Sequence, residues 1–514
     1  MNIFGKKFTA ALLLVVIAEF ISFCGYATPW INALGFFAIA LAVLVISIYK
    51  LEWGLLIVIA ELLIGSKGYL FYFDLNDKSI SIRIVLWTIL MTVWFLQTLI
   101  NMFKTKKISF VFKNFSYFPY FFIFFLVIIF GVVNGLIRHN NPANIFFDAN
   151  GWLYLALLLP AYDLIAAKKG TIISDILQVF TAAVIWLTFK SLILVFLFSH
   201  DIGDMIFVIY RWIRTTGVGE ITLIQGGFYR IFFQSHIYLV MACLLFLATL
   251  TNSNLLAKIK ISNLSQRQKF LVLYFIFVAI LAVNLINFSR SNWIGLALSG
   301  CFLFLLIICS KNWHQLFNFI WISISAAIFS AVIIISIVNF PLVHPLGGFN
   351  TAKLVSDRAT AFSGEAGASS RWSLLAPLWG QINKSLLIGQ GFGATVTYKT
   401  SDPRILESNP GGLYTTYAFE WGWLDIWLKL GLIGLLIYLA LIFKIYFLDV
   451  SKIVKAAGSN FLNDTNAVTT ILLSLGFVAL MAVNIFSPYL NHPLGFGYLV
   501  ISSAIIEKIS HSKK

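Results

Sequence analysis

Residues 30–49 run for twenty positions without a charged side chain. A helix of that length rises about 30 Å, the thickness of a bilayer's hydrocarbon core. Comparable apolar runs recur near 8–26, 52–66, 83–102, 118–137, 150–167, 173–199, 231–250, 270–288, 292–310, 316–340, 422–447, 467–487 and 493–507. The sequence therefore predicts an all-α, polytopic integral membrane protein of about fourteen transmembrane helices, the third and the last being short. Composition excludes a soluble globule: 60% of the chain is hydrophobic and 11% is charged, where soluble domains carry about a quarter charged residues.

Charge sets the expected orientation. The turns that alternate onto one side hold most of the lysines, from Lys6 and Lys7 through Lys258 and Lys260 to Lys513 and Lys514. Basic residues mark the cytoplasmic side, so both termini are expected there. The net charge of +16 is then a topology signal, and no nucleic-acid partner is expected. The run after Lys7 is long and lacks a small-residue cleavage pattern, so it reads as a retained span. Cys24, Cys243, Cys301 and Cys309 all fall in apolar runs and read as small core hydrophobes, with no zinc spacing. No metal and no cofactor is expected. The linear division is 1–340 for helices 1–11, 341–421 for one large extracytoplasmic loop, and 422–514 for helices 12–14.

The arginines break the lysine pattern. Of ten, only Arg267 lies in a turn assigned to the cytoplasm, and Arg83, Arg138, Arg211, Arg214, Arg230, Arg290, Arg358, Arg371 and Arg404 fall on or near the outer side. A planar guanidinium fork grips phosphate oxygens bidentately and stays charged, which lysine does not match. The set points to a phosphate-bearing substrate at the outer face, against the plainer alternative of headgroup anchoring.

Three stretches carry most of that signal. "GGFYRIFFQSHIYLVM" places Arg230 and His236 at the outer entrance of the eighth helix, where His236 either orients a phosphate or packs. "NFSRSNW" sets Ser289, Arg290, Ser291 and Asn292 in a polar turn between two apolar helices. "SSRWSLLAPLWGQINKSLLIGQGFGATVTY" is led by Arg371, with Trp372, Leu375, Leu378 and Trp379 at helical spacing, which predicts an amphipathic helix along the membrane. Its glycines Gly389, Gly391 and Gly393 follow no strand and precede no Lys-Ser/Thr pair, so nucleotide-loop motifs fail on context. Tight turns and close backbone approach explain them better.

Together with the following "YAFEWGWLDIWLKLGLIGLLIYL", these stretches resemble the O-antigen ligase/polymerase family, over about 225–440. The resemblance implies a GT-C-like fold in the bacterial plasma membrane and a metal-independent glycosyltransferase. Its donor would be an undecaprenyl diphosphate-linked glycan, its acceptor another glycan or lipid-linked glycan, and its surroundings membrane lipids. Arg230, Arg290 and Arg371 would stabilise the departing diphosphate, with Arg211 and Arg214 beside them. The family's loop usually ends in a histidine-asparagine pair. Here Glu420 and Trp421 stand at that place, eleven positions before Gly431. Glu420 is then the expected base for the acceptor hydroxyl, with Trp421 and Trp423 able to stack on a sugar and Asp425 as the competing base. The missing histidine leans towards a polymerase or another ligase branch.

Two other classes are open to such a chain. A lipid-linked oligosaccharide flippase would show two similar halves and no loop of about eighty residues. A secondary transporter would use Glu19, Glu61, Asp163 and Lys190 as relay groups. Their scatter over separate helices, without broken-helix motifs, favours structural pairing.

Overall fold

The computed structural model describes residues 3–75, 78–105, 115–167, 171–200, 202–224, 228–261, 264–341, 366–401 and 403–512. It is mostly helical (77%), and twelve helices among the described residues are long and apolar enough to cross a membrane. Each overlaps one of the runs read from the sequence, Pro142–Ile165 beginning eight residues before its run and Gly422–Ala457 ending ten residues after its own. The two remaining runs are helical but fall outside that set. Leu51–Ile64 has only 14 residues. Pro493–Ser512 carries Glu507, Lys508 and His511 in its last turns, which dilutes its apolar character. The architecture is that of a polytopic all-α membrane protein, with three two-stranded antiparallel hairpins among the described residues.

The helices are patterned for lipid. Lys6–Ala27 buries Ala11, Val15, Glu19, Ser22 and Gly25, one helical stripe, and exposes Leu13, Leu14, Ile17 and Phe20. Small and polar residues face the protein and large apolar ones face outward. Lipid supplies no hydrophobic drive between helices, so close packing and hydrogen bonds select that arrangement.

Compactness divides the chain into two units that each gather separate stretches: 1–110, 157–351 and 457–479 in the first, and 111–156, 352–456 and 480–514 in the second. Inside the first unit the intramembrane ionisable residues are paired. Lys190 donates to Glu19 at 2.7 Å. Arg83 grips Glu61 through Nε and Nη2, both at 2.9 Å, and donates from Nη1 to the Ser66 carbonyl at 2.6 Å. Asp163 accepts from the Trp94 indole at 3.2 Å.

Of the expected outer loop, residues 342–365, including Arg358, and residue 402 lie outside the described residues. The rest of that segment is folded. The helix Ala366–Asn383 packs Leu374, Leu378 and Ile382 into a core with Ala394, Val396, Phe419, Trp421 and Leu428. The buried stripe is thus 374, 378 and 382. Of the four apolar positions of the expected membrane-lying helix, Leu378 is in this core and Leu375 packs partly against it. Trp372 and Trp379 stay exposed, and each packs T-shaped with an indole of the following segment, Trp421 at 5.4 Å and Trp427 at 5.3 Å. A hairpin pairs Val396–Lys399 with Leu413–Thr416 and closes the segment.

The glycine stretch then docks into a break in the helix Gly422–Phe443. Gly431 lies in that helix at φ 71°, ψ 177°, which no helical residue adopts. The break frees backbone groups that would cost several kcal/mol each if left unpaired at membrane depth. Residues 386–391 take them up. Gln390 N donates to Leu428 O at 2.6 Å and Gly391 N to Lys429 O at 3.1 Å, while Leu432 N and Ile433 N donate to Leu386 O and Leu387 O at 2.9 and 3.2 Å. From the other side Arg138 holds the same stretch, donating to Gln390 Oε1 and Ser385 Oγ, each at 2.9 Å. Gly389, Gly391 and Gly393 all sit at positive φ, and a Cβ on Gly391 would lie 2.2 Å from Gly135 N.

Gly391→Ala is accordingly expected to cost about 2–5 kcal/mol, left-handed strain and overpacking together. A large fall in the melting temperature of the purified protein checks this. Gly380→Ala, whose added methyl would meet nothing within 4 Å, is expected to leave it unchanged or slightly higher.

Candidate active site

Glu420 ends the segment 366–420, immediately before the broken helix. Its neighbour Trp421 is the helix N-cap residue and makes no capping hydrogen bond from its side chain. Instead the indole turns back and donates to the Arg371 carbonyl at 3.0 Å, which ties the loop helix to the foot of the broken one. Across that tie the Arg371 guanidinium is hydrogen-bonded to the Glu420 carboxylate. Both side chains are substantially open, 40% and 53% exposed. Exposed ion pairs are worth only ~0–1 kcal/mol, so this one is exchangeable: an incoming phosphate can take the arginine and a hydroxyl can take the carboxylate. Trp372 lies exposed beside the pair, packed edge to face against the buried ring of Trp421.

One turn deeper the chemistry changes from open to sealed. Asp425 is 1% exposed, 2.6 Å from the Lys429 ammonium one turn on, and accepts from the Asn491 amide. Lys429 also donates to Asp148 at 2.5 Å, whose other oxygen takes the backbone N–H of Gly393 at 3.0 Å. Two carboxylates share one ammonium, and the glycine stretch is fastened to the same cluster. Asp425 is therefore engaged on both sides and buried, whereas Glu420 is open to solvent. Trp423, the other aromatic candidate, is half-buried with its indole donating to Met481 O at 3.1 Å.

Sequence reasoning missed Asp148, Lys429 and Asn491. One signal was available: Asp425 and Lys429 are spaced i,i+4 inside an apolar run, and charges at membrane depth are rare without a partner or a function. Asp148 had no comparable signal, because its partner lies 281 residues away.

The remaining candidates belong to the first unit. Arg230 lies on the hairpin strand Tyr229–Phe233. It donates from Nε to Asn287 O at 2.7 Å and stacks over Phe232 at 4.7 Å. That brings Arg230 to the polar turn whose Asn287 Oδ1 accepts from Ser289 N at 2.9 Å, and Arg290 opens the helix that follows. His236 is fully buried. Its Nε2 lies 3.0 Å from Ser191 Oγ and its Nδ1 accepts from Phe233 N at 3.4 Å, so both ring nitrogens are occupied by the protein and the packing role fits its surroundings. Arg211 and Arg214 lie exposed on the amphipathic helix Met205–Thr215, where Arg214 is 3.9 Å from Glu220.

Fold and site together define a class: a polytopic helical membrane protein with an open arginine–carboxylate pair at the foot of a broken helix and a sealed charge cluster beneath it. No protein-family model matches the chain, and no curated protein matches it either.

Proposed function

We propose that the chain is a membrane glycosyltransferase that polymerises or ligates a lipid-linked glycan on the outer face of the bacterial plasma membrane, with both termini cytoplasmic. The observation that carries the proposal is the open Arg371–Glu420 pair flanked by the exposed ring of Trp372. Such a transfer needs a cation for a departing diphosphate, a base for a hydroxyl and a surface for a sugar, and these residues supply one of each. The acceptor oxygen bonds to the anomeric carbon as the bond from that carbon to the diphosphate oxygen breaks. The hydroxyl proton passes to Glu420, and the electron pair leaves on the diphosphate beside Arg371. The diphosphate roles of Arg230 and Arg290 in the first unit rest on the sequence resemblance.

The broken helix favours a second reading, a secondary transporter, because freed backbone groups at such breaks commonly line ion sites. Here residues 386–391 occupy the freed groups named above, which supports the transferase. Deleting the protein and sizing the surface glycan tests the proposal. Single repeats left on the carrier or lipid core indicate a polymerase, and full-length chains left on the carrier indicate a ligase. Surface glycan of normal length and amount would overturn the proposal.

A further inference from the structure

The first unit contains an apolar cavity of about 260 Å³, bounded by the helices Lys6–Ala27, Pro29–Tyr49, Leu51–Ile64 and Ile82–Thr105 together with Val179. Its width comes from alanines: Ala10, Ala11 and Ala18 on the first helix, Ala42 on the second and Ala60 on the third. Small side chains facing one another leave a slot that leucines would fill. The slot follows the first helix from Lys7 to Ala18, a rise of roughly 16 Å, about half of a ~30 Å hydrocarbon core. It is therefore about one leaflet long.

Its two ends differ. At one end the Lys7 ammonium stands over the Trp53 ring, 3.0 Å from the centroid, next to the exposed Lys6. Towards the other end the wall includes Ile64, Phe71 and Glu61, and the Glu61 carboxylate is occupied by Arg83. A positive mouth over an uncharged slot matches an amphiphile with an anionic head and one hydrocarbon chain.

We infer that this slot binds one acyl chain of an anionic glycerophospholipid from the leaflet on the Lys7 side, with the phosphate held by Lys7. The site is separate from the transfer site and its test does not depend on the transferase reading. Chain burial supplies the affinity, and Lys7 supplies the headgroup preference.

The purified full-length protein, stripped of lipid in detergent, is given phosphatidylglycerol or phosphatidylcholine with the same acyl chains, and the tightest bound lipid is counted by native mass spectrometry. Wild type is expected to prefer phosphatidylglycerol roughly fivefold, the effect of one basic residue near a lipid phosphate. Lys7→Gln is expected to abolish that preference while still binding phosphatidylcholine. Ala18→Leu, which narrows the slot, is expected to lower occupancy by both lipids at an unchanged melting temperature. Equal binding of the two lipids by wild type, or a preference that survives Lys7→Gln, would overturn the headgroup assignment. Undiminished occupancy in Ala18→Leu, or full displacement by water-soluble glycerophosphoglycerol, would overturn the chain slot.

Discussion

Glu420→Gln is expected to abolish glycan transfer while protein level and donor binding stay normal. The amide keeps the size of the carboxylate and a hydrogen bond with Arg371, but it takes up no proton. The alternative role for Glu420, a carboxylate capping the helix, is worth only ~0.3–1 kcal/mol, and in the structure its partner is Arg371 rather than the helix backbone. Glu420→His is expected to recover part of the activity, since a neutral imidazole is also a base. Arg371→Lys keeps the charge and loses the fork, so transfer is expected to fall about 30- to 1,000-fold, or roughly 2–4 kcal/mol of transition-state stabilisation. A steady-state assay with equal amounts of each variant reads all three. Full activity in Glu420→Gln, with Asp425→Asn inactive, would move the base one turn down the helix.

Lys429→Met is expected to be the most destabilising single substitution in the second unit. It leaves Asp148 and Asp425 buried with no cation between them, and losing one partner of a buried ion pair costs about 3–5 kcal/mol. Asp425→Asn is expected to be milder, because it leaves Lys429 and Asp148 as a balanced pair at 2.5 Å. Thermal unfolding in detergent orders the two variants. If Lys429→Met melts with wild type, the cluster is not holding the broken helix to the stretch that carries Gly393.

Much of the fold was legible because lipid imposes a length. The runs at 30–49 and 118–137 had to be helices, since no other local structure pairs its backbone inside a bilayer. Of the fourteen expected spans, Leu51–Ile64 and Pro493–Ser512 are the two left out of the twelve, the first for its length and the second for its charged end. The break at Gly431 was not legible. A glycine in an apolar helix is common, and only the distant segment 386–391 makes this one a hinge. No broken-helix motif shows in the sequence, yet the structure breaks the helix Gly422–Phe443 at Gly431, with the named freed groups taken up by the chain itself.

Within the site, Arg371, Glu420 and Trp421 were each legible as residue types in a polar segment too long to be idle. Their meeting was not, because it depends on the Trp421 indole reaching back to Arg371 O over 50 positions. The loop helix was legible as apolar at 372, 375, 378 and 379, but not which of these positions the protein itself covers. Tryptophan counts as apolar in any periodicity, but Trp372 and Trp379 are used edge-on at the surface while Leu374 and Ile382 fill the core.

The most direct measurement is transfer by the purified protein in lipid nanodiscs, supplied with undecaprenyl diphosphate-linked glycan as donor and the same glycan as acceptor. The expected result is a longer glycan together with one free undecaprenyl diphosphate for each bond made, from wild type and not from Glu420→Gln. A donor that stays intact with wild-type protein, while labelled donor crosses a liposome bilayer only when the protein is present, would contradict the account and put a transporter in its place.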